Sequence, residues 1–333
     1  MRAARLTVAG SDPRFELQEL PEPVPAADEV VVELVTAALN RRDWWIWRAP
    51  GTPVPVTLGS DGAGRVASVG DGVHGIAPGD EVVIDPTLNW GDDERAASAD
   101  FDILGSPTEG TFAERVVVKA INVHPRPARL SWEEAAAFPL AGLTAWRAAV
   151  TSAGAAPGRR LLITGGGSGV STFCLQIAHA LGAEVWVTSG TDAKIARCIE
   201  LGARGGFRYD DPEWPEQLVA ATGGGVHAVV DSFGGQGWAQ ALAALVRGGV
   251  LVNYGDTGGE TATIPVAEIY WQWRSLVGTT MGSPREFRAL CEHVAAASWR
   301  PAIDSVHDLA DLAIAARRLT APDRFGKVVL RIA

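Results

Sequence analysis

The stretch Leu161-Leu162-Ile163-Thr164-Gly165-Gly166-Gly167-Ser168-Gly169-Val170-Ser171 constrains the fold more than any other part of the chain. An apolar run of strand length enters a glycine-rich turn, and the turn opens into helix-forming residues. Glycines let a backbone approach a pyrophosphate closely. The free N–H groups and positive dipole end of the following helix then face its negative charge. In this strand–turn–helix setting the segment reads as a dinucleotide-binding turn, with Gly167, Ser168, Gly169 and Val170 as the phosphate cradle. The usual middle and third glycines fall on Ser168 and Ser171. Serine is small and caps helices, so close approach survives. A plain strand-to-helix turn is the alternative reading.

The end of the next strand distinguishes the two nicotinamide dinucleotides. About 20 residues past the glycine turn, an NAD site carries an acid that accepts from the ribose 2′-hydroxyl. Here the sequence reads Val187-Thr188-Ser189-Gly190-Thr191, with no acid at the strand end. A hydroxyl and backbone N–H groups accept a 2′-phosphate, and Lys194 supplies compensating charge, unless it is an ordinary solvated lysine. Asp192 is better placed to cap the helix starting at Ala193. The expectation is NADP(H).

Around this turn the chain alternates strand and helix. Leu161–Ile163, Glu184–Val187, Ala228–Val230 and Val250–Val252 read as strands, and Thr172–Ala180, Ala193–Leu201 and Ala239–Leu245 as helices. That alternation predicts a parallel sheet with helices on both faces. The first third is different. Val30–Val35, Gly64–Gly70, Val82–Ile84 and Arg115–Val118 are short strands punctuated by Gly, Pro and Asp, as in a barrel-like β domain. Ser131-Trp132-Glu133-Glu134 has the capping-box pattern of a helix start. Helices are expected at Pro284–Ala297 and Leu309–Leu319, and a terminal strand at Lys327–Ile332. That strand can pair with the N-terminal β region, so one domain draws on both ends of the chain.

Composition excludes several classes. The 333 residues are 47% hydrophobic and 20% charged, which supports buried cores rather than disorder. The formal charge is -10 with no Lys/Arg cluster, so a nucleic-acid partner is not expected. No apolar run has the length of a membrane span, and Met1–Val8 reads as a short strand rather than a leader. Cys174, Cys198 and Cys291 form no Cys-x-x-Cys pair and read as buried small hydrophobes, in keeping with a cytoplasmic protein.

Further motifs run in order along nearly the whole chain: Asn40-Arg41-Arg42-Asp43, Leu58 to Gly64, Gly79-Asp80-Glu81-Val82, Ala141 to Trp146, and Phe325 to Leu330. In series they resemble the medium-chain dehydrogenase/reductase superfamily, in its zinc-free branch of quinone oxidoreductases and zinc-type alcohol dehydrogenase-like proteins. Asn89-Trp90-Gly91, Ile103-Leu104-Gly105 and Thr279 to Ser283 are similar to one bacterial subgroup. The resemblance implies an α/β protein with two domains. A GroES-like β-rich catalytic domain would comprise residues 1–125 and 268–333, and a Rossmann doubly wound parallel-sheet domain residues 126–267. It also implies a cleft active site and a homodimer or homotetramer.

Zinc-dependent members carry Cys where this chain has Asn40, and Gly-His-Glu where it has Gly59-Ser60-Asp61. A catalytic zinc needs about three Cys, His or carboxylate ligands. Asn and Ser replace them poorly, and Asn89–Gly105 has no cysteine for a structural zinc. No metal is expected. Without that Lewis acid, hydride delivery to an electrophilic acceptor is easier than alcohol oxidation.

The resemblance places Asn40 at the nicotinamide or the acceptor oxygen. From the residues alone it serves equally as a turn residue. Asp43 and Asp61 are candidate catalytic residues, as a proton relay or, the preferred reading, as loop braces. The resemblance further implies that Thr144 touches the nicotinamide ribose. Ser189, Gly190, Lys194 and Tyr209 surround the 2′-phosphate and adenine ribose. Ser232, Phe233, Tyr254 and Gly255 lie at strand ends on the cofactor side, and Met281 and Lys327 close the nicotinamide end. Trp44, Trp45 and Trp47 are candidates for an aromatic acceptor pocket, with core packing preferred for at least one. Trp271 and Trp273 are candidates for a subunit interface.

The leading expectation is a zinc-independent, NADPH-dependent reductase of quinones or α,β-unsaturated carbonyls. An alcohol dehydrogenase or ketoreductase of a specialised metabolite, and a non-catalytic NADPH-binding protein, are the alternatives.

Overall fold

The structure, a computed structural model, describes residues 1–332. The chain divides into two units, one of Met1–Ala141 with the segment from Ser283 onward, the other Gly142–Gly282. The terminal segment thus shares a unit with the N-terminal part, but the boundaries differ from 125 and 268. Helix Trp132–Ala137 packs on strands Glu29–Ala38 and Asp61–Val69, and Trp132 O accepts from Thr36 Oγ1 at 2.7 Å. At the other boundary, Ser275–Gly278 joins the parallel sheet beside Leu245–Asn253. Its short length and lack of helix signals hid that strand.

In the discontinuous unit, one sheet runs in the order Val123–Pro125, Glu81–Ile84, Asp61–Val69, Glu29–Ala38, Lys327–Arg331, Ile303–Asp308. Arg115–Lys119 also pairs with Glu29–Ala38, and Arg2–Val8 lies in a smaller three-stranded sheet. Val30, Val32, Leu34, Val66, Ile84, Phe112, Val328 and Leu330 form its core. Each such side chain contributes about 1.5–3 kcal/mol by leaving water. Gly64 is obligatory, since a Cβ there would lie 2.1 Å from Glu33 O on the neighbouring strand.

The central unit is a six-stranded parallel sheet in the order Gly205–Arg208, Glu184–Ser189, Arg160–Ile163, Val226–Asp231, Leu245–Asn253, Ser275–Gly278. Strand order reverses between Arg160–Ile163 and Val226–Asp231, and ligands of such sheets bind outside the strand ends at that point. Leu161, Leu162, Ile163, Val185 and Val187 are all buried. Near-continuous apolar strands are what a sheet covered on both faces requires. Helix Gly169–Ala180 begins three residues earlier than expected, and helix Asp192–Glu200 is capped by Thr191 rather than Asp192. Among the described residues, no helix is long and apolar enough to cross a membrane.

Candidate functional site

Two places gather the expected residues, one in each unit. In the discontinuous unit, sheet register sets the geometry. Strand Glu29–Ala38 is flanked by Asp61–Val69, with Ala38 opposite Asp61, and by Lys327–Arg331, with Ala38 opposite Val329. Asn40 follows that strand and caps helix Arg41–Arg48. Asp43 Oδ2 accepts the Asn40 backbone N–H at 2.7 Å.

The side chains close a ring. Asn40 Nδ2 donates to Asp61 Oδ2 at 2.8 Å. Lys327 Nζ donates to Asn40 Oδ1 at 2.6 Å and to Asp61 Oδ2 at 2.9 Å. Asp61 Oδ1 accepts the Leu140 N–H at 2.7 Å. Asp43 and Asp61 have no exposed surface, and Lys327 is 2% exposed. Lys327, expected beside the nicotinamide, thus commits two of its N–H groups to Asn40 and Asp61.

Beside the ring, Arg42 Nη1 donates to Ser60 Oγ at 3.0 Å and Leu104 O at 3.1 Å, while Ser60 Oγ itself donates to Leu104 O at 2.7 Å. Burial pushes the Asp43 carboxyl up to about 6, against the opposing pull of Arg42, and its Oδ1 has no hydrogen-bond partner. Arg42 and Ser60 escaped the sequence reading as partners, because their contact joins helix Arg41–Arg48 to the residue before strand Asp61–Val69. Among the described residues, no three His, Cys, Asp or Glu side chains gather as a metal would need.

The three tryptophans do not form one wall. On helix Arg41–Arg48, successive residues turn by about 100°. Trp47 is a core residue, edge-on to Phe15 at 5.5 Å, and so is withdrawn from the proposed pocket. Trp44 packs at the rim of that core with Arg41 and Arg48 over its ring. Trp45 alone faces outward.

In the central unit, Gly165 and Gly167 have φ of 65° and 100°, the left-handed region glycine tolerates. The two serines standing for glycines close the turn. Ser168 Oγ accepts the Ser171 N–H at 3.2 Å, and Ser171 Oγ donates to Gly165 O at 2.9 Å. Ser189 is a correction. Its hydroxyl points inward and donates to Gly166 O at 2.7 Å, bracing the turn from the next strand rather than facing a 2′-phosphate.

Past that strand, Tyr209 and Phe233 are both exposed and stack at 6.3 Å. Gly190 lies under Tyr209, whose hydroxyl would be 2.4 Å from any Cβ added there. Lys194, half-buried, sits in the first turn of helix Asp192–Glu200.

Asp231, which the sequence reading missed, organises the opposite strand end. Its carboxylate accepts from Thr164 Oγ1 at 2.7 Å, Gly234 N at 2.9 Å, Asn253 Nδ2 at 3.0 Å, Trp238 Nε1 at 3.1 Å and Phe233 N at 3.2 Å. It thereby shapes the loop carrying Ser232 and Phe233. An acid at a strand end followed by glycines was the available signal. Burial pushes the Tyr254 phenol up, and its Oη, beside Ser168 and Ser232, makes no hydrogen bond of good geometry. Gly255 packs on Ser232 O. Thr144 Oγ1 lies 3.9 Å from Met281 Sδ, and Met281 holds a left-handed φ of 51°.

A reversing parallel sheet, a glycine turn at the head of a helix and a β-rich partner unit define a nucleotide-dependent oxidoreductase fold. Residues 26–128 match the family described as "Alcohol dehydrogenase GroES-like domain" and residues 169–296 the family "Zinc-binding dehydrogenase". The chain is 33% identical to "Zinc-type alcohol dehydrogenase-like protein YogA" of Leptosphaeria maculans, over 96% of this chain and 94% of that one. It is 38% identical to a solved NAD-dependent alcohol dehydrogenase, with a TM-score of 0.92 and 100% of both chains covered. The 2-octenoyl-CoA carboxylase reductase CinF, solved with NADP and 2-octenoyl-CoA, matches at 26% identity and a TM-score of 0.86, covering 95% of this chain and 82% of that one. The chain belongs to the medium-chain dehydrogenase/reductase superfamily. It is an NAD(P)-dependent oxidoreductase.

Proposed function

We propose that this oxidoreductase is a zinc-independent, NADPH-dependent reductase that delivers hydride to a quinone or an α,β-unsaturated carbonyl compound. The observation that carries the reading is Lys327, whose buried ammonium bonds Asn40, which stands where zinc-dependent members of the family carry a Cys, and Asp61, which stands at the Glu of their Gly-His-Glu motif. Zinc takes about three thiolate, imidazole or carboxylate ligands. Here an amide oxygen and a carboxylate already serve a cation, and the Ser60 hydroxyl is tied to Leu104 O and Arg42. Two positive side chains repel a divalent ion, so these residues do not fit zinc.

The central unit fits a dinucleotide. Gly167, Ser168, Gly169 and Val170 would hold the pyrophosphate, with the buried Tyr254 hydroxyl beside Ser168 and Ser232. Gly190, Lys194 and Tyr209 would take the 2′-phosphate and adenine end, Ser232, Phe233 and Gly255 the strand end, and Thr144 and Met281 the nicotinamide half. Bound there, NADPH supplies the hydride. The missing acid at the end of Glu184–Ser189 and the nearby Lys194 favour NADP(H) over NAD(H). We read Asp61 and Asp43 as braces: one accepts three side-chain or backbone hydrogen bonds, the other holds Asn40 N–H.

The test is NADPH and NADH oxidation against quinones and enones, with and without a chelator. Turnover with NADPH that survives chelation is expected. A second reading, an alcohol dehydrogenase or ketoreductase, is favoured by the 38% identical NAD-dependent alcohol dehydrogenase. Alcohol oxidation lost on chelation would overturn the first reading in favour of the second. NADPH binding without turnover of any acceptor would leave a non-catalytic binding protein.

We infer a homodimer built on the sheet edge. Strand Ser275–Gly278 ends the parallel sheet, largely exposed, and Tyr270, Trp271 and Trp273 stand exposed just before it. Such an edge invites pairing with a second copy. Light scattering on the purified protein checks it. Free Cys174, Cys198 and Cys291 agree with a reducing, cytoplasmic location.

A further inference from the structure

We propose that Asp231 is a positioning residue that sets the width of the crevice in which the nicotinamide dinucleotide lies, without touching the ligand. The inference rests on the reading of the central unit as the dinucleotide site and deepens it. Strand order reverses between Arg160–Ile163 and Val226–Asp231, so the crevice opens between the segments that follow these two strands. The glycine turn follows the first, and the loop of residues 232–236 follows the second. The two walls are already close, since a Cβ added at Gly165 would lie 3.5 Å from Ser232 Oγ.

Register puts one carboxylate at the foot of both walls. Thr164 N donates to Val230 O at 3.0 Å, and Asp231 lies opposite Asn253. Thr164, Asp231 and Asn253 therefore stand side by side at three neighbouring strand ends. Asp231 Oδ1 accepts from Thr164 Oγ1, in the residue that enters the glycine turn, and from Phe233 N in the loop. Oδ2 accepts from Gly234 N, Asn253 Nδ2 and Trp238 Nε1. Turn and loop are thus held at a fixed separation by a side chain that is 3% exposed and acts only through these donors.

A second loop rides on the first. Thr257 Oγ1 donates to Ser232 O at 2.9 Å, Gly258 N donates to Phe233 O at 2.6 Å, and Gly234 bridges to Gly259. Gly234 and Gly235 take φ of 71° and 56°, the left-handed bend with which the first loop turns back over the strand end. Losing the carboxylate therefore loosens both loops.

Charge and position predict opposite signs. A negative charge beneath a diphosphate site repels it, so neutralising Asp231 would by charge alone tighten binding. Asparagine has nearly the same shape, but it brings an NH2 group to a place where the carboxylate meets only donors. The donors that served one of the two oxygens lose their acceptor, and the loop moves. Position therefore predicts weaker binding.

The experiment measures NADPH and NADH affinity by fluorescence for wild type, Asp231→Asn and Trp238→Phe, well below the thermal unfolding of each. Asp231→Asn is expected to weaken both dinucleotides roughly tenfold, the effect of buried hydrogen bonds lost, and by one common factor, because the crevice holds what the two share. Amide exchange in residues 232–236 and 254–259 is expected to quicken. Trp238→Phe removes a single donor, supplied by helix Gly237–Ala243, and is expected to weaken both dinucleotides about threefold, by a factor that high salt leaves unchanged. It decides the matter if Asp231→Asn does not fold.

A merely stabilising role would lower the unfolding temperature and leave both affinities where they were. Unchanged or tighter binding in Asp231→Asn, a loss confined to NADPH, unchanged amide exchange, or a Trp238→Phe deficit that salt abolishes overturns the proposal and leaves the dinucleotide reading standing. A wild-type protein that binds neither dinucleotide sinks both.

Discussion

The glycine turn of the central unit is shaped by the chain around it and by the strands on either side of Arg160–Ile163. Gly165 and Gly167 supply the left-handed backbone, Ser168 and Ser171 close the turn, and Ser189 braces Gly166. In the discontinuous unit, by contrast, Lys327 meets Asn40 across 287 positions and Asp61 across 266. The first place works through backbone N–H groups, so it tolerates serine for glycine. The second works through buried charges, each of which needs its one partner. Local backbone sites are forgiving of side-chain change, and buried charge clusters are not.

The largest effect expected from that contrast is at Asp61. Asp61→Asn leaves the Lys327 ammonium buried without a counter-charge, and should cost about 3–5 kcal/mol of stability by denaturant unfolding. A loss below about 1 kcal/mol would break the comparison.

Asp85 is the next case, a buried carboxylate of the same unit with no cationic partner among the described residues. Burial pushes it up to about 7, against the Thr87 N–H bond, and its Oδ2 is unpartnered. The folded state holds this proton more tightly than the unfolded chain, so stability falls as pH rises from about 4 to about 7. Asp85→Asn should therefore gain about 4 kcal/mol at pH 8 and almost nothing at pH 4. An equal effect at both pH values would show that the charge is not what costs.

In the central unit, changes should be smaller and fall on ligand binding. Lys194→Ala should weaken NADPH binding about tenfold and leave NADH unmoved, as loss of one phosphate charge predicts. Equal weakening of both would remove Lys194 from the 2′-phosphate. Ser189→Ala should cost about 1 kcal/mol through the lost bond to Gly166 and shift NADPH and NADH affinity together. A change confined to NADPH would restore Ser189 to the phosphate.

Much of the fold was legible because its signals are periodic or contiguous. The alternation from Leu161 to Val252 announced the parallel sheet, and Ser131 with Glu134 forms the expected capping box. Strands Gly205–Arg208 and Ser275–Gly278 were not legible. Each is four residues long, and their edge positions in the sheet ask for no apolar run. Among site residues, Asp231 went unread because its five donors come from three separate segments. Trp44, Trp45 and Trp47 read as a cluster along the chain, yet helical rotation sends Trp45 outward and Trp47 into the core.

By itself, the sequence determined the dinucleotide turn, the parallel sheet around it, the β-rich partner unit and the superfamily. Those rest on backbone geometry written in consecutive residues. The tertiary structure alone decided that Lys327 serves Asn40 and Asp61, that Ser189 turns inward, and that Arg42 holds Ser60. Side-chain partners follow from strand register and packing, which bring together residues whose spacing in the chain carries no trace of their meeting.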